Sequence, residues 1–217
     1  TLNLIGSITQ SGTGLVTGTG VSNALIKTGQ GTLVLGGNNT GTFAGDLAIQ
    51  DGTVLLNHAN ALPTGVVTVS GTTLAAQAAA TTSSGSAVIT GITSTASMQQ
   101  GMAITGTGIP TGSYIVSIDS GSQVTISQNA TASGTITNLV GATNGMLDVN
   151  GLSISKALTI NGTGTAPLAA NYKGAIWNSS ATASTLSGAI TLGSASSIGG
   201  YGDLIVSSNI TGAFGLT

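Results

Sequence analysis

Charge is almost missing from this chain. Its 217 residues include five aspartates and three lysines, with no glutamate and no arginine, so only 4% of positions are charged, against roughly 25% in an ordinary soluble domain. Nucleic-acid binding needs clustered Lys or Arg to neutralise phosphates; with three scattered lysines and a net charge of −2, no nucleic-acid partner is expected. Cysteine is absent, which excludes a disulfide framework and any thiolate metal site. Long apolar runs are missing as well. Gly or Thr interrupts each one well short of the ~20 residues a spanning helix needs, so the chain is not expected to span a membrane. Its first residues carry no charged n-region with an apolar h-region, and we expect an excerpt of something longer or a processed product.

What fills the chain instead is Gly (35 residues) with Thr, Ser, Val and Ile, a composition that opposes helices and favours strands. Short apolar runs alternate with Gly, Asn, Asp and Thr turns and show no helical period. In GDLAIQ the period of two puts Leu47 and Ile49 on one face; Val67 and Val69 likewise face in, with Thr68 out. Texture divides the chain into residues 1–78, 79–140 and 141–217. The middle part holds an apparent hairpin, SYIVSID–SG–SQVTISQ, turning at Ser120-Gly121, and a Pro110 turn over residues 109–112. It reads as an inserted antiparallel β module. The last part returns to the first texture, with Asn150-Gly151 and Asn161-Gly162 as tight-turn dipeptides and Leu147, Val149, Ile154, Leu158, Ile160, Ile190 and Leu192 as inward positions.

Residues 25–76 carry Lys27-Thr28-Gly29-Gln30-Gly31-Thr32-Leu33-Val34-Leu35, Asn38-Asn39-Thr40, Asp51-Gly52-Thr53-Val54-Leu55, Asn60-Ala61-Leu62-Pro63 and Val67-Thr68-Val69. This run resembles the autotransporter-associated, or passenger-associated transport, β-strand repeat. Residues 186–217 look like the lead-in to a further Lys-Thr-Gly unit, and the first residues look like a related lead-in, as in a tandem array. The resemblance implies a right-handed parallel β-helix and an extracellular or cell-surface location. The C-terminal membrane barrel of such proteins is not in the sequence given. The middle part is similar to small β modules of large bacterial surface and phage-associated proteins.

Residues able to do chemistry are few. Glycoside hydrolysis needs two carboxylates flanking the scissile bond. The five acids are Asp46, Asp51, Asp119, Asp148 and Asp203, and only Asp46 and Asp51 lie close in sequence, with Asp51-Gly52 an ordinary turn signature. Lyase chemistry would want Arg or a Lys cluster to stabilise a developing carbanion, and Arg is absent. His58 is the single imidazole, without partners for a transition-metal site, and reads as a turn residue. Gly199-Gly200-Tyr201-Gly202-Asp203 resembles one calcium-roll repeat, which needs consecutive copies. Trp177, Tyr172, Phe43 and Phe214 are too dispersed in sequence to name a sugar-stacking platform. No catalytic, cofactor-binding or metal-ligating residue is therefore expected, no cofactor, and no enzyme activity.

The expected fold is all-β: a right-handed parallel β-helix of roughly six to eight rungs, interrupted by the antiparallel insert. The expected function is a structural and adhesive repeat of a surface-displayed or secreted fibrous bacterial protein. Its partners would be neighbouring copies or adjacent repeats, and a host or matrix surface met through the insert. A carbohydrate-binding or carbohydrate-processing β-helix, with Asp side chains clustered in a groove, is one alternative. An ice-binding solenoid with stacked Thr-x-Thr pairs is another; Thr17/Thr19, Thr105/Thr107 and Thr163/Thr165 have that spacing. With so few ionisable groups, stability is expected to vary little between about pH 3 and 9 and with salt.

Overall fold

The computed structural model describes residues 2–3, 8–10, 24–74, 77, 79–136, 138–164 and 174–217. Every regular element among them is a β-strand. None is a helix long and apolar enough to cross a membrane. The chain divides into two compact units, one formed by Thr1–Gly71 with Asn144–Thr217, the other by Thr72–Thr143.

The first unit is built from parallel sheets that the chain visits in turn. One sheet runs Leu2–Asn3, Ala24–Thr28, Asp46–Ile49, Val67–Val69, Leu158–Gly162, Ile190–Ser196, Ile210–Thr211. The other takes the strands between: Ile8–Gln10, Thr32–Leu35, Gly52–Leu56, the end of Val140–Asp148, Ile176–Asn178, Ile198–Gly200. A third, two-stranded sheet pairs Ser184–Leu186 with Leu204–Val206 in parallel. Hydrogen bonds between side chain and main chain, Asn39 to Ala61, Thr64 to Phe43 and Val66 to Asp46, join residues 20 to 22 positions apart.

Parallel register stacks like on like, and it turns the period of two into continuous columns. Leu25, Leu47, Val67, Leu158, Ile190 and Ile210 are successive partners in the first sheet. Leu33, Val54, Leu147, Ile176 and Ile198 are successive partners in the second. Leu47, Ile49, Val54, Val67, Val69, Leu147, Val149, Ile154, Leu158, Ile160, Ile190 and Leu192 all lie in one buried cluster. The column beside the first contains Lys27, Ile49, Val69, Ile160 and Leu192, so a lysine occupies a core position.

Asn150 and Gly151 both have positive φ, 47° and 75°, and Leu152 N donates to Val149 O at 2.9 Å. That is the Asn-Gly pair suited to a two-residue turn with both centres left-handed. Asn161-Gly162 departs from expectation. It ends strand Leu158–Gly162, where the register to the next strand shifts between Ile160 and Gly162, so the dipeptide marks a bulge and not a reverse turn.

The second unit is antiparallel. Val88–Ile89, Gln123–Ile126 and Ile115–Ser120 form one sheet, Ala80–Thr82 pairs with Gly134–Ile136, and Ala103–Thr105 pairs with residues 140–142. Ile89, Met102, Ile104, Ile115, Val124, Ile136 and Leu139 belong to its own core. The hairpin turns one residue later than its sequence suggests. Ser120 pairs with Gln123, leaving Gly121-Ser122 at the tip, because the ladder shifts between Ile118 and Ser120. Asp119, at this irregularity, accepts from Ser117 Oγ at 2.6 Å and Thr125 Oγ1 at 2.8 Å. These bonds hold its carboxyl below the usual aspartate range. The unit also begins before residue 79. Leu74 N donates to Gly141 O, and Gln77 N to Leu139 O, so these two residues are paired within it.

In the first unit Gly145 N donates to Ser70 O at 2.8 Å, so its two segments end one hydrogen bond apart. Excising residues 72–143 and bridging Gly71 to Asn144 with a short Gly linker should leave a cooperatively unfolding parallel-sheet protein. Loss of a sigmoidal denaturation curve in that deletion would show that the first unit needs the second to fold.

Candidate functional site

One gathering of polar groups in the first unit is internal. Lys27 is fully buried, and its ammonium donates to the carbonyls of Thr28 at 3.0 Å, Asp51 at 2.9 Å and Gly29. Burial lowers its pKa to about 8, against the opposing pull of Asp51. Asp51, also buried, accepts through Oδ1 from Gly52 N at 3.0 Å and Asn144 N at 3.1 Å. Its Oδ2 is buried with no hydrogen-bond partner. Burial pushes the Asp51 pKa up, with the Asn144 and Gly52 amides and Lys27 acting in the other direction. All three ammonium protons are committed to main-chain oxygens, and solvent does not reach them. The arrangement braces three chain segments, and no substrate has access to it.

The remaining acids are also tied to turns. Asp46 Oδ1 accepts from Val66 N at 2.7 Å, and Asp148 Oδ1 from Asn150 N at 3.0 Å and Ser179 N at 3.1 Å. Asp203 contributes its main-chain oxygen to Ser184 N and Asn178 Nδ2. His58 Nδ1 accepts from Asn60 N at 3.0 Å, inside its own turn. Gly199 and Gly200 pair with Trp177 and Asn178 in a parallel ladder, so the glycine-rich run is strand followed by turn. Among the described residues no three of His, Cys, Asp and Glu cluster as metal ligands would. Of the threonine pairs considered from sequence, Thr17, Thr19 and Thr165 lie outside the described residues. The outer face of the first sheet instead carries threonine in single file, Thr68, Thr159, Thr191 and Thr211.

Two outer hollows stand out on the first unit. One, of about 450 Å³, is bordered by Asp46, Thr64 and Lys156. Lys156 Nζ donates to Thr64 O at 2.6 Å, and burial lowers its pKa, partly offset by Asp46. The other, of about 480 Å³, lies on the outer face of the second sheet and is lined by Thr53, Leu55, Met146, Asp148, Trp177 and Tyr201, with Thr32 and Ser179 at its rim. Register assembles it. Leu55, Asp148, Trp177 and Gly199 are successive parallel partners, and Tyr201 follows two residues on.

Sequence reasoning missed this second hollow. Along the chain Trp177, Tyr172, Phe43 and Phe214 are dispersed. Tyr172 lies outside the described residues, Phe43 is buried, and Phe214 is exposed. Tyr201, the ring that does meet the Trp177 hollow, stands one strand repeat plus two residues further on, and reading the chain at that repeat would have found it. No family model, curated protein or solved structure matches the chain.

Proposed function

We propose that this chain is a structural and adhesive repeat unit of a surface-displayed or secreted fibrous bacterial protein, and that its first unit is a right-handed parallel β-helix that continues end to end. The observation that carries this reading is the stacking of aliphatic residues in register along two parallel sheets, with only partly buried members at one end. Ile198, Leu204, Val206 and Leu216 pack on the buried core yet are only partly buried themselves, and Ile205, Ile210 and Phe214 are exposed. Ile210–Thr211 is an edge strand of the first sheet, whereas beside Ile198–Gly200 in the second the chain adds a parallel bridge at Leu216, with Ile198 N donating to Thr217 O at 3.0 Å. The opposite edges belong to the same two sheets, Leu2–Asn3 and Ile8–Gln10.

Edge strands present unpaired N–H and C=O groups in a row and template further pairing. A contact between two different edges is heterologous, so it propagates as a filament and does not close as a dimer. A surface with so few charges offers little repulsion against such stacking. Light scattering over a concentration series should therefore show elongated oligomers, and the double variant Leu204→Lys with Ile210→Pro should remain monomeric. A monomer at every concentration in the parent chain would overturn the assembly reading.

A further inference from the structure

We propose that the hollow bordered by Asp46 and Lys156 binds a small zwitterion with an aliphatic body, such as a free aliphatic α-amino acid. The ligand's ammonium meets Asp46, its carboxylate meets Lys156, and its side chain covers Val66. Every residue of the site belongs to one copy of the first unit, so binding does not require end-to-end assembly.

The main chain holds two opposite charges ready and apart. Residues 64–66 lie between them. On one side Asp46 opens the neighbouring strand and accepts from Val66 N through Oδ1 at 2.7 Å. On the other side Lys156 stands two residues before Leu158, the register partner of Val67, and donates to Thr64 O at 2.6 Å. Both side chains are thus fixed to one segment by short, charge-assisted hydrogen bonds. Their main chains stand two ladder spacings apart, about 10 Å. Lys156 feels the charge of Asp46. Yet among the described residues no ion pair joins the two, and Asp46 Oδ2 and two of the three Lys156 protons have no partner.

The lining adds an apolar contact. Val66 is 58% exposed although its strand is the fourth of seven in the sheet, so this exposure does not come from an open sheet edge. Thr159 and Thr191, register partners on the outer face, complete the lining, and their hydroxyls bond to no protein group among the described residues. The volume of about 450 Å³ falls within the usual range of small-molecule sites.

The charges decide between ligand classes. A simple anion would lie beside Asp46 and a simple cation beside Lys156, each with a like charge for a neighbour. A zwitterion answers both. Its ammonium must be primary, because the lining holds no aromatic ring to receive a quaternary one, whereas N–H groups donate directly to a carboxylate.

Amide-proton NMR of the isotope-labelled full chain reads the site, because the Val66 N–H is the one Asp46 accepts. Near neutral pH, L-leucine should shift that resonance saturably, with a Kd of about 1–10 mM. Isoamylamine and isocaproate each lack one of the two charges and should bind at least about tenfold more weakly. Asp46→Asn keeps an acceptor for Val66 N, and both it and Lys156→Met should weaken leucine binding about tenfold. Val66→Thr leaves both charged contacts in place and should weaken leucine binding while glycine binding stays the same. The proposal is overturned by a flat leucine titration, or by isoamylamine or isocaproate binding as well as leucine. Unchanged leucine binding in Asp46→Asn, Lys156→Met and Val66→Thr would also overturn it, since that is the result if the two charged side chains only brace the corner.

Discussion

Replacing Gly52 by alanine should cost the parallel-sheet unit about 2–5 kcal/mol, a large share of the roughly 5–15 kcal/mol that holds a typical domain folded. Two penalties combine. Gly52 has φ +67°, and a left-handed alanine costs about 1–2 kcal/mol. The added Cβ would also lie under 3.0 Å from Gly29 O, Gly31 O and Lys27 Nζ. Two of those are main-chain atoms and the third is pinned by three hydrogen bonds, so nothing nearby yields cheaply. Overpacking of this kind costs about 1–3 kcal/mol. Gly41 separates the two contributions, since it has φ +79° with nothing within 4 Å of a built Cβ. Gly41→Ala should therefore lose only about 1–2 kcal/mol. Denaturant midpoints compared at equal slope measure both variants. Equal losses would show that the carbonyls do not converge on Gly52 as described.

Alkaline pH should stabilise the first unit. Burial holds Lys27 at about 8 in the folded state, below the ordinary lysine value of 10.5. A base with a depressed folded pKa binds fewer protons folded than unfolded across that window, so unfolding free energy rises as pH goes from about 8 towards 10.5 and is lost again on returning below 8. Full linkage corresponds to about 3 kcal/mol. Lys156 shifts in the same direction. Asp51 acts at the other end. Its folded pKa is raised, so its contribution is fully present below the unfolded value of 3.8 and is lost as pH rises through the folded value. For these two groups stability is lowest in between, when both are charged and buried. Isothermal denaturation at pH 7 and pH 10 should show the rise, and Lys27→Met should remove most of it, whatever that change does to absolute stability, because methionine has no proton to release. A profile as steep in Lys27→Met as in the parent would place the titration elsewhere. The flat response inferred from composition is thus corrected. Few ionisable groups means few shifts only when those groups stay in water, and Lys27 and Asp51 do not.

The reach of the sequence is clearest along the strands. Whether Leu47 and Ile49 share a face follows from the pleat, a local property of any extended chain, and the same holds for Val67 with Val69 and Ile190 with Leu192. The Asn150-Gly151 turn was readable for a similar reason, since few residue pairs tolerate two left-handed centres in succession. Asn161-Gly162 shows the limit. The same dipeptide type stands at a bulge, because there the neighbouring strand, not the dipeptide, sets the register. The hairpin tip at Gly121-Ser122 moved by one residue for the same cause, a shift in pairing near Asp119.

By itself, then, the amino-acid sequence determined that the chain is all-β, which residues point inward, and which chemistries lack the residues they need; each depends on composition or on neighbours one to four positions apart. Only the tertiary structure decided what parallel register brings together. It put Lys27 in the column of Ile49 and Val69, left Asp51 buried with one oxygen unpartnered, and set Trp177, Asp148 and Tyr201 around one hollow. The physical reason is common to all three. A parallel ladder joins residues some twenty positions or more apart through main-chain hydrogen bonds that look alike at every register, so the side chains alone do not announce which of them will meet.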